Sequence, residues 1–210
     1  MTPLFSSVSV SVTASSTTTV TPPTFGSVPS DLSVVENLGN NQTITTVTAQ
    51  ASNGGRISYI IAGGNIGEAF GIDASTGRIF VKNVIDYELM SEYRLWVEAA
   101  QSGNIPAFSY KEVVVRVEDL NDNKPMFTET IYEVEINENS PFGTSLTTVT
   151  ARDADTGVNG EVTYRLDGAD AASFRISPTS GRISVFSDLD REVLDLYGFT
   201  VIATDKVCAP

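Results

Sequence analysis

The chain has 210 residues, 41% of them hydrophobic, which suits one or two globular domains of ordinary core content. Lys and Arg number 13 against 26 Asp and Glu, a formal net charge of −13 that excludes a nucleic-acid reader, which needs clustered cations. Histidine is absent, which removes Ser-His-Asp and Cys-His catalysis and His-based zinc sites. Taken in order, 4–13 reads as a strand, with Val8, Val10 and Val12 alternating against serine, and 15–24 is rich in Ser, Thr and Pro. Short alternating or β-branched runs follow at 32–35, 43–48, 57–61, 78–81, 93–99 and 110–117, separated by Gly, Asn or Ser. Such spacing predicts an all-β sandwich, and no capped amphipathic helix interrupts it. Asn41-Gln42-Thr43 is an N-glycosylation sequon, which makes Asn41 a candidate acceptor. No run of about 18 apolar residues could span a membrane, and the start lacks the basic and apolar parts of a secretory signal. The single cysteine, Cys208, cannot form an internal disulfide.

The densest chemistry lies in Asp119-Leu120-Asn121-Asp122-Asn123-Lys124-Pro125-Met126-Phe127. Val113-Val114-Val115-Arg116-Val117 leads in, and a second alternating segment predicts a strand over 131–136. An oxygen-rich connector between two strands has two readings. It is a solvated turn, since Asn, Asp and Pro are the ordinary turn residues. Or it is a cation site, since hard cations such as calcium take six to eight oxygens. The acidic excess is equally two-sided: it serves solubility, or it is offset in part by a bound cation.

An internal repeat sets the domain count. Phe127 lies 102 residues after Phe25, and Asn137-Glu138-Asn139 lies 102 after Val35-Glu36-Asn37. Phe174-Arg175-Ile176-Ser177-Pro178-Thr179-Ser180-Gly181-Arg182-Ile183 lies 104 after Phe70-Gly71-Ile72-Asp73-Ala74-Ser75-Thr76-Gly77-Arg78-Ile79, as Asp190-Arg191-Glu192 does after Asp86-Tyr87-Glu88. Two copies of a module of roughly 100 residues match the usual size of a β-sandwich domain.

These elements, together with Asp153-Ala154-Asp155-Thr156-Gly157-Val158-Asn159-Gly160, resemble tandem cadherin repeats over nearly the whole chain. The resemblance implies an all-β fold of tandem Greek-key, immunoglobulin-like β-sandwiches. It divides the chain into 1–24, the end strand and degenerate linker of a preceding repeat; 25–118, a repeat; 119–126, a calcium-binding linker; and 127–210, a repeat without its last strand. It implies three calcium ions at the central linker. Their ligands would be Glu36, Asp86 and Glu88 from the upper repeat, and Asp119, Asn121 and Asp122 by side chain with Leu120 and Asn123 by carbonyl from the linker. Asp153, Asp155 and Asp205 by side chain and Asn159 by carbonyl would complete the set from the lower repeat. Tyr87 stands between the two acids where Asp190-Arg191-Glu192 keeps the commoner arginine. Crowded carboxylates repel and raise one another's pKa values until cations neutralise them.

At the upstream linker Thr17, Thr19, Val20 and Thr21 replace the oxygen-rich residues, and Gln101 replaces Asp205. That junction is expected to bind no calcium and to be more flexible or bent. The resemblance further implies calcium-dependent adhesion at the extracellular face of the plasma membrane, as part of a longer single-pass protein, with other cadherin ectodomains as homophilic or heterophilic partners. Two alternatives compete. Paired carboxylates hydrolyse glycosides in some enzymes, but here they gather at a domain junction without a cleft. A bacterial cadherin-like adhesin or carbohydrate-binding repeat would need an exposed aromatic platform, whereas Trp96 is expected in the core.

Overall fold

The computed structural model describes residues 20–29, 31–103 and 105–205. The expected strand at 4–13, Thr17, Thr19 and Cys208 lie outside them. Nine strands come from the first repeat: β1 (Thr24–Phe25), β2 (Leu32–Val35), β3 (Thr43–Thr46), β4 (Ala49–Gln50), β5 (Ile57–Gly63), β6 (Phe70–Ile72), β7 (Arg78–Val81), β8 (Glu92–Gln101) and β9 (Ala107–Glu118). Seven follow: β10 (Met126–Phe127), β11 (Ser145–Thr148), β12 (Ala151–Arg152), β13 (Thr163–Asp167), β14 (Phe174–Ile176), β15 (Arg182–Val185) and β16 (Thr200–Thr204). The only helical pieces among the described residues are two 3-10 turns, Ile66–Glu68 and Ala169–Ser173.

In the first repeat a sheet of order β2-β9-β8-β5 faces a sheet of order β3-β7-β6. Alternation along β8 sends Tyr93, Leu95, Val97 and Ala99 inward, and β9 sends Val113, Val115 and Val117 inward, to meet Phe70, Ile79 and Val81 from the other sheet. Each such large side chain, fully buried, contributes about 1.5–3 kcal/mol. The second repeat repeats the plan, with β11-β15-β14 and β13-β16 around Val149, Tyr164, Phe174, Ile183, Val185 and Leu189. Even ring geometry is duplicated: Phe70 meets Tyr93 edge-on at 5.0 Å, and Phe174 meets Tyr197 edge-on at 5.5 Å. Phe25 and Phe127 are half-buried against the two cores, as strand-start residues should be.

The repeated Ser/Thr-Gly-Arg-Ile turns need their glycines. Gly77 has φ +72°, and a Cβ there would stand 2.1 Å from the Val47 carbonyl oxygen; Gly181 has φ +68°, with its Cβ position 2.2 Å from the Val149 carbonyl oxygen. The backbones must approach this closely because Val47 and Val149 take hydrogen bonds from their own N–H groups to the Gly77 and Gly181 carbonyls. Gly77→Ala is expected to cost about 1–3 kcal/mol, read as a lowered urea midpoint with unchanged slope. A midpoint equal to that of the parent chain would contradict this.

Two expectations need correction. Residues 131–136 form no strand, although Tyr132 and Ile136 pack on the second core. The first-repeat counterpart, β2, is held by parallel pairing with β9, Leu32 opposite Val115 through Val35 opposite Glu118. Among the described residues, which reach one position past β16, none stands beside 131–136 as β9 stands beside β2 to pair with its backbone. Trp96 is not in the core but 48% exposed. It shares its parity on β8 with Arg94 and Glu98, and with Phe108, Tyr110 and Ile60 it lies on the outer face of the four-stranded sheet.

Candidate metal centre

The end of β2 places Glu36 under the chain that leaves β9. Asn37, next to it, adopts φ +56°, a conformation that Asn tolerates better than most residues. Glu36 is 2% exposed, and a buried carboxylate must have its oxygens satisfied. One oxygen accepts the Leu120 N–H at 2.7 Å and the other the Tyr87 N–H at 2.8 Å, so this one side chain ties β2, the connector and the Asp86-Tyr87-Glu88 turn together. Asp86 fixes that turn by accepting the Leu89 N–H at 3.0 Å.

Carboxylate oxygens of Glu36, Asp86 and Glu88 lie within 4.8 Å of one another, and so do those of Glu88, Asp122 and Asp155. Glu88 is the shared corner. Asp122 accepts from the Asn37 side chain and, at 2.9 Å, from that of Asn123. Asn123 also donates to the buried Asp155, at 2.7 Å from its side chain and 3.4 Å from its backbone. Asp119 reaches across to the loop after Asp155: its Oδ2 accepts the Thr156 N–H and hydroxyl at 3.0 and 3.1 Å and the Asn159 amide at 3.1 Å. Oδ1 of Asp153 accepts the Asp155 N–H at 3.0 Å. The remaining oxygens, Asp119 Oδ1 and Asp153 Oδ2, are buried without a hydrogen-bond partner. Buried carboxylate oxygens without donors are costly, and a cation is the partner that such oxygens fit.

The expected ligands therefore fall into groups. Glu36, Asp86, Glu88, Asp122 and Asp155 converge, and Asp119, Asp153 and Asn123 join them through the connector and its facing loop. Leu120 participates by its N–H, Asn159 by its side-chain amide, and Asn121 is half-buried in the connector. Asp205 is half-buried one position past β16 and belongs to none of the acidic triplets found among the described residues. Asn41, also at positive φ, is exposed and donates its N–H to the Val81 carbonyl at 2.8 Å. Asn37 and Thr156 are further partners of the acids that no local sequence pattern marks. A third triplet, Glu138, Asp190 and Glu192, is absent from the expected ligands, although the internal repeat marks all three as counterparts of Glu36, Asp86 and Glu88.

Electrostatics agree with crowding. The Glu88 carboxyl is pushed up from 4.5 to about 7, first by loss of water around it and then by repulsion from Glu36, Asp122 and Asp155. Because the residue is exposed overall, repulsion across the short gaps to these acids is the sturdier cause. A carboxyl with its folded pKa above its unfolded value holds its proton more tightly when folded. Stability of the cation-free chain is thus expected to fall as pH rises from about 4.5 to about 7. Urea titrations in chelator across that window would show it, with a flatter profile in Glu88→Gln. A slope of opposite sign would refute the assignment.

A family model for the cadherin domain matches residues 30–118 and 132–210. The chain is 38% identical over 173 residues, 81% of its length, to Protocadherin Fat 4 of Mus musculus, and 36% identical over 210 residues, 99% of its length, to Protocadherin-16 of Mus musculus. It spans only 3% and 6% of those proteins. The structure of mouse Cadherin-23 EC22-24 superposes with TM-score 0.80 at 30% identity, covering 90% of this chain and 62% of that one. The duplicated β-sandwich, its repeated turns and the family match together place this chain in the cadherin family.

Proposed function

We propose that the chain is a piece of a calcium-dependent adhesive ectodomain, in which ions held at residues 119–126 stiffen the joint between a repeat at 25–118 and another at 127–210. Residues 1–24 would end a preceding repeat. Family membership sets the chain among adhesion proteins rather than enzymes. The observation that carries the reading is the meeting of Glu36, Asp86, Glu88, Asp122 and Asp155, drawn from both repeats and the connector, in two groups that share Glu88. The unpartnered oxygens of Asp119 and Asp153 support it.

Calcium would supply positive charge and a demand for many oxygens. Glu36, Asp86 and Glu88 would hold it from the upper repeat, Asp119, Leu120, Asn121, Asp122 and Asn123 from the connector, and Asp153, Asp155, Asn159 and Asp205 from the lower repeat. Three ions, carrying six charges, would offset most of the carboxylate repulsion. Other cadherin ectodomains are the proposed partners, homophilic or heterophilic, at the outer face of the plasma membrane. Among the described residues no helix is long and apolar enough to cross a membrane, so anchoring would fall to another part of a longer protein. Calorimetric titration of the intact chain with calcium tests this: saturable binding at or below about millimolar, near three ions per chain, is expected for an extracellular site. Absence of heat and of competition with terbium luminescence would overturn it.

The outward Trp96, Phe108 and Tyr110 are the observation that favours the second reading, a carbohydrate-binding repeat. The animal cadherin relatives favour adhesion over a bacterial adhesin. A glycan array probed with the parent chain and with Trp96→Ala separates the two, since only the carbohydrate reading expects a signal that the substitution removes.

A further inference from the structure

The chain that enters the first repeat is fastened by a chemistry unlike that of the central joint. Gln101 closes β8 at the position that Asp205 holds after β16, and it is 2% exposed. A long amide so deeply buried must find partners for both its donor and its acceptor. Its Oε1 accepts the Ser52 N–H at 3.0 Å, with the Ser52 hydroxyl at 3.2 Å, and its Nε2 donates to the Thr21 carbonyl at 2.9 Å. The Ser52 hydroxyl also lies 2.5 Å from the Thr21 carbonyl, so its one hydrogen serves either acceptor. From β9, the Ser109 hydroxyl donates to the carbonyl of the buried Pro23 at 2.5 Å.

The same backbone position is held in two ways. Asn123 is 102 residues after Thr21. At the central joint Asn123 is engaged by the Asp155 carboxylate, which belongs to an acidic triplet. At the upstream joint the counterpart loop reads Ala51-Ser52-Asn53, and the groups that meet residue 21 are an amide and a hydroxyl. None of these groups carries charge or titrates near neutrality.

We infer that Gln101, with Ser52 and Ser109, forms a charge-free clamp that fixes residues 21–23 on the first repeat without any cation. Gln101 acts as a positioning residue. Its amide donor orders the incoming chain, and its amide oxygen orders the Ser52 loop beneath it. Loss of carboxylates alone predicts a looser junction, whereas the clamp predicts order at residues 21–23. The clamp goes beyond the calcium reading of the central joint and stands without it.

Amide exchange and backbone relaxation of the intact chain, followed by NMR in calcium and in chelator, test the clamp. The Ser52 amide and the order parameters of Thr21 and Thr24 are expected to be the same in both conditions. In Gln101→Ala the Ser52 amide should exchange several-fold to about tenfold faster in both, as for loss of one ordinary hydrogen bond. Gln101→Glu keeps the acceptor but not the donor. It should leave Ser52 protected while lowering order at Thr21. Ser109→Ala, at a half-buried position, should lower order at Thr24 even where Gln101→Ala fails to fold. Loosening of residues 21–24 by chelator alone, or unchanged order at Thr21 in Gln101→Glu, would overturn the clamp. Chelator that alters neither joint would support the clamp and sink the calcium reading instead.

Discussion

Saturating calcium is expected to raise the melting temperature of the intact chain by on the order of 10 °C, and Asp122→Ala to remove most of that rise. A ligand that binds only the folded state stabilises it by about 2.7 kcal/mol at one hundred times its dissociation constant. For a single repeat of roughly 100 residues each kcal/mol moves the midpoint by roughly 4–8 °C. Asp122 is the informative position because it stands between Glu88 and Asp155 and accepts from both Asn37 and Asn123. Its removal takes a proposed ligand from the connector and unties the two side chains that orient it. Those lost hydrogen bonds lower stability with or without calcium, so the quantity to compare is the calcium-induced difference, by scanning calorimetry in calcium and in chelator. Glu192→Ala, in the separate Glu138, Asp190 and Glu192 triplet, serves as the control and should retain the rise. A rise preserved in Asp122→Ala would remove the central joint as its source.

Phe70→Ala should unfold the first repeat at markedly lower urea, at a cost of about 3–5 kcal/mol. Phe70 is 1% exposed, lies between the two sheets and meets the Tyr93 ring edge-on at 5.0 Å. Truncation loses the transfer free energy of the ring, leaves a cavity and removes the ring pair, which is worth about 0.5–1.5 kcal/mol beyond its buried area. Phe174→Ala offers the internal comparison. Phe174 keeps two aromatic neighbours, Tyr197 at 5.5 Å and Phe199 at 4.9 Å, which can close over the gap, so its cost should fall toward the lower end. Costs below about 1 kcal/mol at Phe70 would mean that the site collapses freely, against the packing seen here.

Much of this architecture was readable because its signals are local. Leu32–Val35 and Arg78–Val81 are strands with the predicted bounds, and β8 and β9 only extend beyond theirs. The connector was legible because its oxygen donors sit in consecutive residues. Features that depend on distant partners were not. Residues 131–136 alternate as a strand does, yet alternation supplies no hydrogen-bonding neighbour, and the described residues provide none. Trp96 was misplaced although Arg94 and Glu98, two residues to either side, shared its parity and marked the outer face. The bonds from Asn37 to Asp122 and from Thr156 to Asp119 arise from loop closure across 85 and 37 residues. The Gln101 clamp lay hidden for the same reason, since a missing carboxylate says nothing of what replaces it.

The parallel pairing of β2 with β9 has a mechanical corollary. Because the strand near the start of the repeat runs alongside the one at its end, tension applied through the chain pulls β2 and β9 past each other along their length. The evenly spaced, slanted backbone bonds of this parallel pair run between the strands rather than along the pull. The register from Leu32–Val115 to Val35–Glu118 is therefore loaded in shear, all its bonds sharing the force at once, rather than peeled open singly. Resistance to forced unfolding is set by the rate of crossing the unfolding barrier, and shear raises that barrier.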